Sequence, residues 1–280
     1  MNVIGIDLGG TKIALAKYAL PSWELLSEEV HPTPAAEGID QVILKLVELI
    51  EAFRDDETQS IGIGMPGPVI DGCIESFPNI PGAENFCLEK SLQTALKTPV
   101  KLENDANAFI VGAWQLQFPE KNDLLGLTLG TGVGGALIIN GQLYRGHNGA
   151  AGEFGHMTSS GKRLEDLISG TALGKRWQEK TGEKRAGKDI VADAEAGEQA
   201  ALEFLQEIGQ DLGRALHDLI LAFNPEVLLI GGSASSALPF FREALSTELD
   251  KTPFHSTVQI PVERILDAHA ATYGAAWLSQ

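Results

Sequence analysis

The sequence is expected to fold as an α/β protein. Strand-like and helix-like stretches alternate along it, and a strand–glycine–strand device occurs twice, at GIDLGGTKIALA and GLTLGTGVGGALI. No linker or low-complexity stretch interrupts the pattern. The 280 residues suffice for one large or two ordinary domains, and an apolar fraction of 44% is enough to bury a core.

The elements follow in order. VIGIDLGGTKIALAKYAL reads as two strands around Gly9-Gly10-Thr11-Lys12. A strand, not a helix, follows these glycines, so the stretch is a hairpin and not a Walker-type loop. LLSEEVHP reads as a third strand. IDQVILKLVELIEAFR carries apolar residues at 39, 42, 43, 46, 47, 50 and 53, the 3.6-residue period of an amphipathic helix. SIGIGMPGPV is a buried strand running into a Pro-Gly turn, PVKLEND a strand running into a loop, and DANAFIVGAWQLQF a helix. LLGLTLGTGVGGALIINGQLY repeats the opening device, with Asn140-Gly141 turning into a further strand. An apolar-periodic helix from Glu198 to Phe223 stops at Asn224-Pro225. PEVLLIGGSASS is then a buried strand, ALPFFREALSTEL a helix, STVQIPVER a strand and AATYGAAWL a final helix rich in small residues.

Composition narrows the function. A formal net charge of −17 repels polyanions, and lysine and arginine form no dense run, so nucleic acid is not an expected partner. No apolar run reaches the roughly 18 residues of a membrane span; LILAFNPEVLLI is broken by Asn224, Pro225 and Glu226. Asp7 and a glycine pair interrupt the first apolar stretch, which is unlike a secretory signal. Cys73 and Cys87 lack CxxC spacing, so a disulfide framework is not expected and a reducing cytoplasm is the default.

Glycines in a tight hairpin let backbone N–H groups approach phosphate oxygens. Gly9, Gly10, Gly130 and Gly132 provide such loops, Thr11 and Thr131 add hydroxyls, and Lys12 adds a positive charge. Asp7 can hold Mg²⁺ through water. Gly231-Gly232, after a buried strand, offers a place for adenine or ribose. A single loop of this kind is equally well a plain turn. Asp105, at a strand-to-helix junction in ENDANA, either caps the helix or acts as a base, and its position alone leaves both open.

These pieces resemble a known fold and family. GIDLGGTKI, LGTGVGGALI and VLLIGGS resemble the two phosphate motifs and the adenosine motif of the actin, hexokinase and heat-shock chaperone ATPases. That resemblance implies a duplicated ribonuclease H-like fold of two lobes with a cleft between them. The expected division is a small lobe over 1–110, joined by a returning C-terminal helix over 266–280, and a larger lobe over 111–265. More narrowly, DLGGTK, GMPGPV, NIPG, ENDANA and GAAGEFGH together are similar to the ROK family of repressors and sugar kinases, from Val3 to the closing YGAAWL. The resemblance implies ATP and Mg²⁺ as cofactors, Asp105 as the base and Asn104 as a sugar ligand. It further implies Glu153, His156 and Glu165 as ligands of sugar hydroxyls, Gly67 and Asn79 in sugar-side loops, and a homodimer.

One departure is large. Most ROK sugar kinases carry a cysteine cluster after this histidine box and bind zinc there. Here the segment is MTSSGKR, and Ser159 and Ser160 are poor zinc ligands, so no zinc site is expected. Another group must then orient His156. Polyphosphate-using members also lack the cluster, which keeps polyphosphate beside ATP as a donor, although the acidic composition shows it no track. Glucose is the first acceptor to consider; mannose, fructose, N-acetylmannosamine and N-acetylglucosamine fit the same residue set. A repressor needs a helix-turn-helix ahead of the first hairpin, which here begins within ten residues; a sugar sensor without catalysis is the further rival. Glu103 is left without an assigned role, a strand-end charge being the plain alternative, and His31, His147, His217, His255 and His269 have no partner pattern.

Overall fold

The computed structural model describes residues 1–77, 79–159, 161–251 and 260–280. Ser160, His255 and the first part of the expected strand STVQIPVER lie outside the described residues. The chain divides into two compact units: unit 1 is Met1–Pro119, Arg145–Ala151 and Asp267–Gln280, and unit 2 is Glu120–Tyr144 and Gly152–Leu266.

Unit 1 is built on strands β1 (Asn2–Leu8), β2 (Lys12–Ala19), β3 (Leu25–Pro32) and β4 (Thr58–Met65). The short strands β5 (Val69–Ile70) and β6 (Cys73–Ile74) form a hairpin, and β7 (Val100–Asn104) completes the main sheet in the order β3-β2-β1-β4-β7. The first three strands are antiparallel neighbours, while β4 and β7 run parallel to β1. Helix α1 (Ile39–Phe53) buries Val42, Leu46 and Ile50, residues of the periodic stripe seen in the sequence. Helix α2 (Leu88–Leu96), which the sequence did not announce, adds Leu88, Leu92 and Leu96 to the same core.

Helix α3 (Asp105–Gln117) follows β7 directly, and the division between units falls after it, at Pro119. The C-terminal helix (Ala270–Leu278) lies against it so closely that a Cβ at Gly274 would meet the Ala108 carbonyl oxygen at 1.7 Å. Small residues in AATYGAAWL therefore serve close backbone approach.

Unit 2 repeats the sheet plan with β8 (Leu124–Leu129), β9 (Val133–Ile139), β10 (Gln142–Leu143), β13 (Val227–Gly231) and β14 (Val262–Arg264), in the order β10-β9-β8-β13-β14. Again the first three strands are antiparallel neighbours and the last two run parallel. Asn140 and Gly141 both have positive φ, as the tight turn before β10 requires. A small hairpin, β11 (Thr158–Ser159) and β12 (Lys162–Arg163), precedes α4 (Leu164–Ile168), α5 (Gly170–Thr181) and α6 (Gly187–Glu195). Helix α7 (Gln199–Phe223) ends in left-handed Asn224, the stop read from the sequence, and α8 (Leu238–Leu249) packs beside it.

The cysteines correct one expectation. Cys73 and Cys87 form a disulfide across 14 positions. CxxC spacing is not needed because the intervening chain folds back on itself. Ile74 N–H donates to Phe86 O and Asn85 N–H to Ile74 O, which brings both cysteines to one end of the loop.

Candidate active site

In unit 1 the turn from β1 to β2 is closed by Gly9 N–H donating to Lys12 O at 2.9 Å, and Thr33 Oγ1 donates to Gly9 O at 2.7 Å. Gly10 faces Asn79, whose Nδ2 stands 3.3 Å from where a Cβ would be. The NIPG segment, inside the disulfide-closed loop, is thus packed against the first glycine hairpin. Asp7 sits on β1 just ahead of that hairpin. Burial, then the neighbouring Asp105 charge, push its pKa up from 3.8 to about 6, with Lys12 pulling the other way.

At the β7–α3 junction the capping duty falls to Asn104 and not to Asp105. Asn104 is the helix cap, its Oδ1 accepting from Asn107 N–H at 3.1 Å, and Asp105 is the first helical residue. Asn104 Nδ2 also donates to Gly67 O at 3.2 Å, joining the GMPGPV loop to ENDANA. Gly67 has φ +90°, and a Cβ there would lie 2.1 Å from Ser76 O. The Asp105 carboxylate accepts from Ala106 N–H at 2.8 Å. Burial holds its pKa above the usual value of 3.8, against the pull of the Ala106 and Asp105 N–H groups. An aspartate freed from capping, half-buried and with a raised pKa, has properties that suit a proton acceptor.

Glu103 is more than a strand-end charge. Only 7% exposed, it accepts from Asn104 N–H at 3.0 Å, Asn107 Nδ2 at 2.9 Å and Arg145 Nε at 2.7 Å. No spacing rule reveals this, since Arg145 is 42 positions away.

In unit 2 the second hairpin is closed by Gly130 N–H donating to Gly132 O at 3.0 Å, and its carbonyls accept from Gly170 N–H and Thr171 Oγ1. Glu165 lies against this hairpin: its Oε2 accepts from Val133 N–H at 3.1 Å and would sit 2.3 Å from a Cβ on Gly132. Gly130 faces open space. Gly231 ends β13; Gly232, at φ +83°, packs on the Leu129 backbone with no room for a side chain. Gly130, Thr131, Ser233 and Ala234 line a cavity of about 560 Å³. Lys175, Lys184, Arg185 and Lys188 line it too, a cation cluster invisible in a sequence where they are spread over α5, α6 and the turn between.

Glu153 and His156 also belong to unit 2. Phe154 is buried, and a Cβ on Gly155 would lie 2.2 Å from Val133 O, so packing on β9 fixes the backbone of the EFGH turn. The His156 side chain is 63% exposed, with Nε2 3.9 Å from Glu153 Oε2. Backbone packing, with Glu153 beside the ring, is what the structure supplies to place His156. Among the described residues, no group of three or more His, Cys, Asp or Glu could hold a metal ion, and no helix is long and apolar enough to cross a membrane. His31, His217 and His269 lie at the surface beside Glu29, Asp218 and Glu28.

Two sheets of one plan, each opening with a glycine hairpin, define the class as the actin–hexokinase type of α/β fold. The sequence pattern of the ROK family matches residues 3–280, and the chain belongs to that family. It is 33% identical over 257 residues to N-acetyl-D-glucosamine kinase from Pectobacterium atrosepticum, covering 83% of this chain and 84% of the relative. It is 32% identical over 265 residues to glucokinase from Thermotoga maritima, with 85% and 83% covered. Among solved structures, a ROK hexokinase from Thermus thermophilus superposes with a TM-score of 0.84 at 32% identity, over 99% of this chain and 97% of that one. A ROK family glucokinase from Streptomyces griseus, solved with glucose and AMPPNP, gives 0.83 at 27% identity over 99% of each chain.

Proposed function

We propose that this ROK-family sugar kinase transfers the γ-phosphoryl group of ATP to a hexose hydroxyl, with glucose, giving glucose 6-phosphate, as the first acceptor to test. The observation that carries the reading is the β7–α3 junction, where Asn104 takes the capping duty and leaves Asp105 half-buried with a raised pKa. As the sugar oxygen bonds to the γ-phosphorus, its proton passes to Asp105; the bond to the β–γ bridging oxygen breaks and ADP leaves. Asn104, Glu153, His156 and Glu165 hold the sugar, with Gly67 and Asn79 shaping its loops. The hairpin N–H groups at Gly9–Thr11 and Gly130–Gly132, with Lys12, orient the phosphates. Gly231 and Gly232 belong to the nucleoside side.

Asp7 suits Mg²⁺ held through water: its carboxylate has no hydrogen bond among the described residues, and a nearby cation would relieve its crowding by Asp105. When bound, the ion would offset charge on the phosphates. N-acetylglucosamine is the competing acceptor, because several relatives act on it. Polyphosphate is the competing donor, and the cation cluster beside Gly130–Thr131 favours it in a way that the overall charge does not. Sugar-dependent ADP release, measured by a coupled assay, tests the reading; a purified protein that releases none with any hexose or acetylated hexosamine contradicts it.

A further inference from the structure

We infer that Glu103 is a positioning residue for the phosphoryl transfer, acting through Asn104 and Asp105, with Asn107 and Arg145 as its partners. The inference rests on the reading of Asp105 as the base. Glu103, Asn107 and Arg145 are not among the residues that the family resemblance assigns to sugar or nucleotide.

The geometry is a closed ring around the β7–α3 junction. Glu103 Oε1 accepts from both Asn104 N–H and Asn107 Nδ2. Asn107 N–H in turn donates to Asn104 Oδ1, and Asn104 Nδ2 reaches Gly67 O. Asn104 is therefore gripped at its backbone by Glu103 and at its side chain by Asn107. Asp105 is the next residue, and backbone N–H groups, those of Ala106 and of Asp105 itself, hold its carboxylate. Where that carboxylate points is thus decided by the backbone that Glu103 braces.

Two features set this apart from ordinary core packing. Burying a carboxylate is costly, and a well-packed apolar residue would commonly stabilise the fold as well or better. Glu103 is nonetheless buried, with Arg145 Nε at 2.7 Å as its counter-charge. Asn107 is 2% exposed, and its Oδ1 is buried with no hydrogen-bond partner. Turning the amide over would face that oxygen to Glu103, so the carboxylate fixes its orientation at the expense of one unsatisfied acceptor. Such imperfections concentrate at functional positions.

The test is steady-state kinetics on the full chain with sugar and ATP·Mg²⁺, comparing wild type with Glu103→Ala, Glu103→Gln and Asn107→Ala. Glutamine keeps an acceptor oxygen for Asn104 N–H and Asn107 Nδ2 but turns an NH₂ toward Arg145. Because displacement of a catalytic group by about 1 Å can cost about 10²-fold, Glu103→Ala should lower kcat by at least about tenfold while KM for ATP stays within about twofold. Glu103→Gln should recover kcat to within about threefold of wild type, the rescue that a brace predicts and a charge effect does not. Should Glu103→Ala fail to fold, Asn107→Ala decides, with an expected fall in kcat of about threefold or more. A wild-type kcat in Glu103→Ala or Asn107→Ala, or a Glu103→Gln as impaired as Glu103→Ala, overturns the inference. A wild-type protein with no sugar-dependent ADP release removes the kinase reading itself, an outcome distinct from any of these.

Discussion

Replacing Asp7 by asparagine should stabilise unit 1 at neutral pH while lowering turnover. The folded chain raises the Asp7 pKa from 3.8 to about 6, chiefly by burial. A pKa raised on folding means that the native state binds the proton more tightly than the unfolded chain. The penalty for ionising Asp7 is then absent below the unfolded value, grows as pH rises, and is complete above about 6. At about 1.4 kcal/mol per pH unit, it reaches about 3 kcal/mol at pH 7.5. Partial access of solvent to the carboxylate reduces this to about 2 kcal/mol. Asparagine has nearly the same shape, carries no charge and displaces no hydrogen bond of Asp7 among the described residues. The variant should melt about 5 °C above wild type at pH 7.5, and the difference should shrink at pH 5 and fall to a small residual near pH 4. Calorimetry or circular dichroism at the three pH values reads it. An asparagine variant no more stable than wild type at pH 7.5, or one whose advantage does not change with pH, refutes the reasoning. The expected combination, more stable and less active, is that of a charged group kept for function.

Other outcomes follow from the same structure. Since burial raises the Asp105 pKa, kcat should fall as pH is lowered, with its acid limb displaced upward from 3.8. Removing charge from the cavity by Lys184→Ala with Lys188→Ala should raise KM for the phosphate donor, more steeply for polyphosphate than for ATP; initial-rate kinetics with each donor measures it. Purified, non-reduced protein should show no free thiol on titration with Ellman's reagent, and Cys73→Ser should lower stability by about 3 kcal/mol, the entropy of a loop of this length.

How much of this was legible in the sequence depended on how local each cause is. The paired hairpins, the periodic stripe of α1 and the stop at Asn224-Pro225 are written in neighbouring residues, and β3, α3 and α7 lie where those patterns put them. That Asn104 and not Asp105 caps α3 rests on one hydrogen bond, from Asn107 N–H to Asn104 Oδ1, that spacing could not assign. Long-range closure was hidden. The Cys73–Cys87 bond depends on main-chain pairing around residues 74–86, and the Glu103–Arg145 contact on chain that returns to unit 1 at 145–151. Composition also hides local charge, because a net charge of −17 averages over a surface whose cations at 175, 184, 185 and 188 the fold collects around one cavity.

The most direct test is ADP release from ATP·Mg²⁺ across glucose, mannose, fructose, N-acetylglucosamine and N-acetylmannosamine, run in parallel on wild type and Asp105→Asn. The account predicts release that depends on one or a few of these sugars, and at least about 10²-fold slower turnover in Asp105→Asn with both substrates saturating. Near-normal turnover in Asp105→Asn, or release that ignores the sugar, would contradict it.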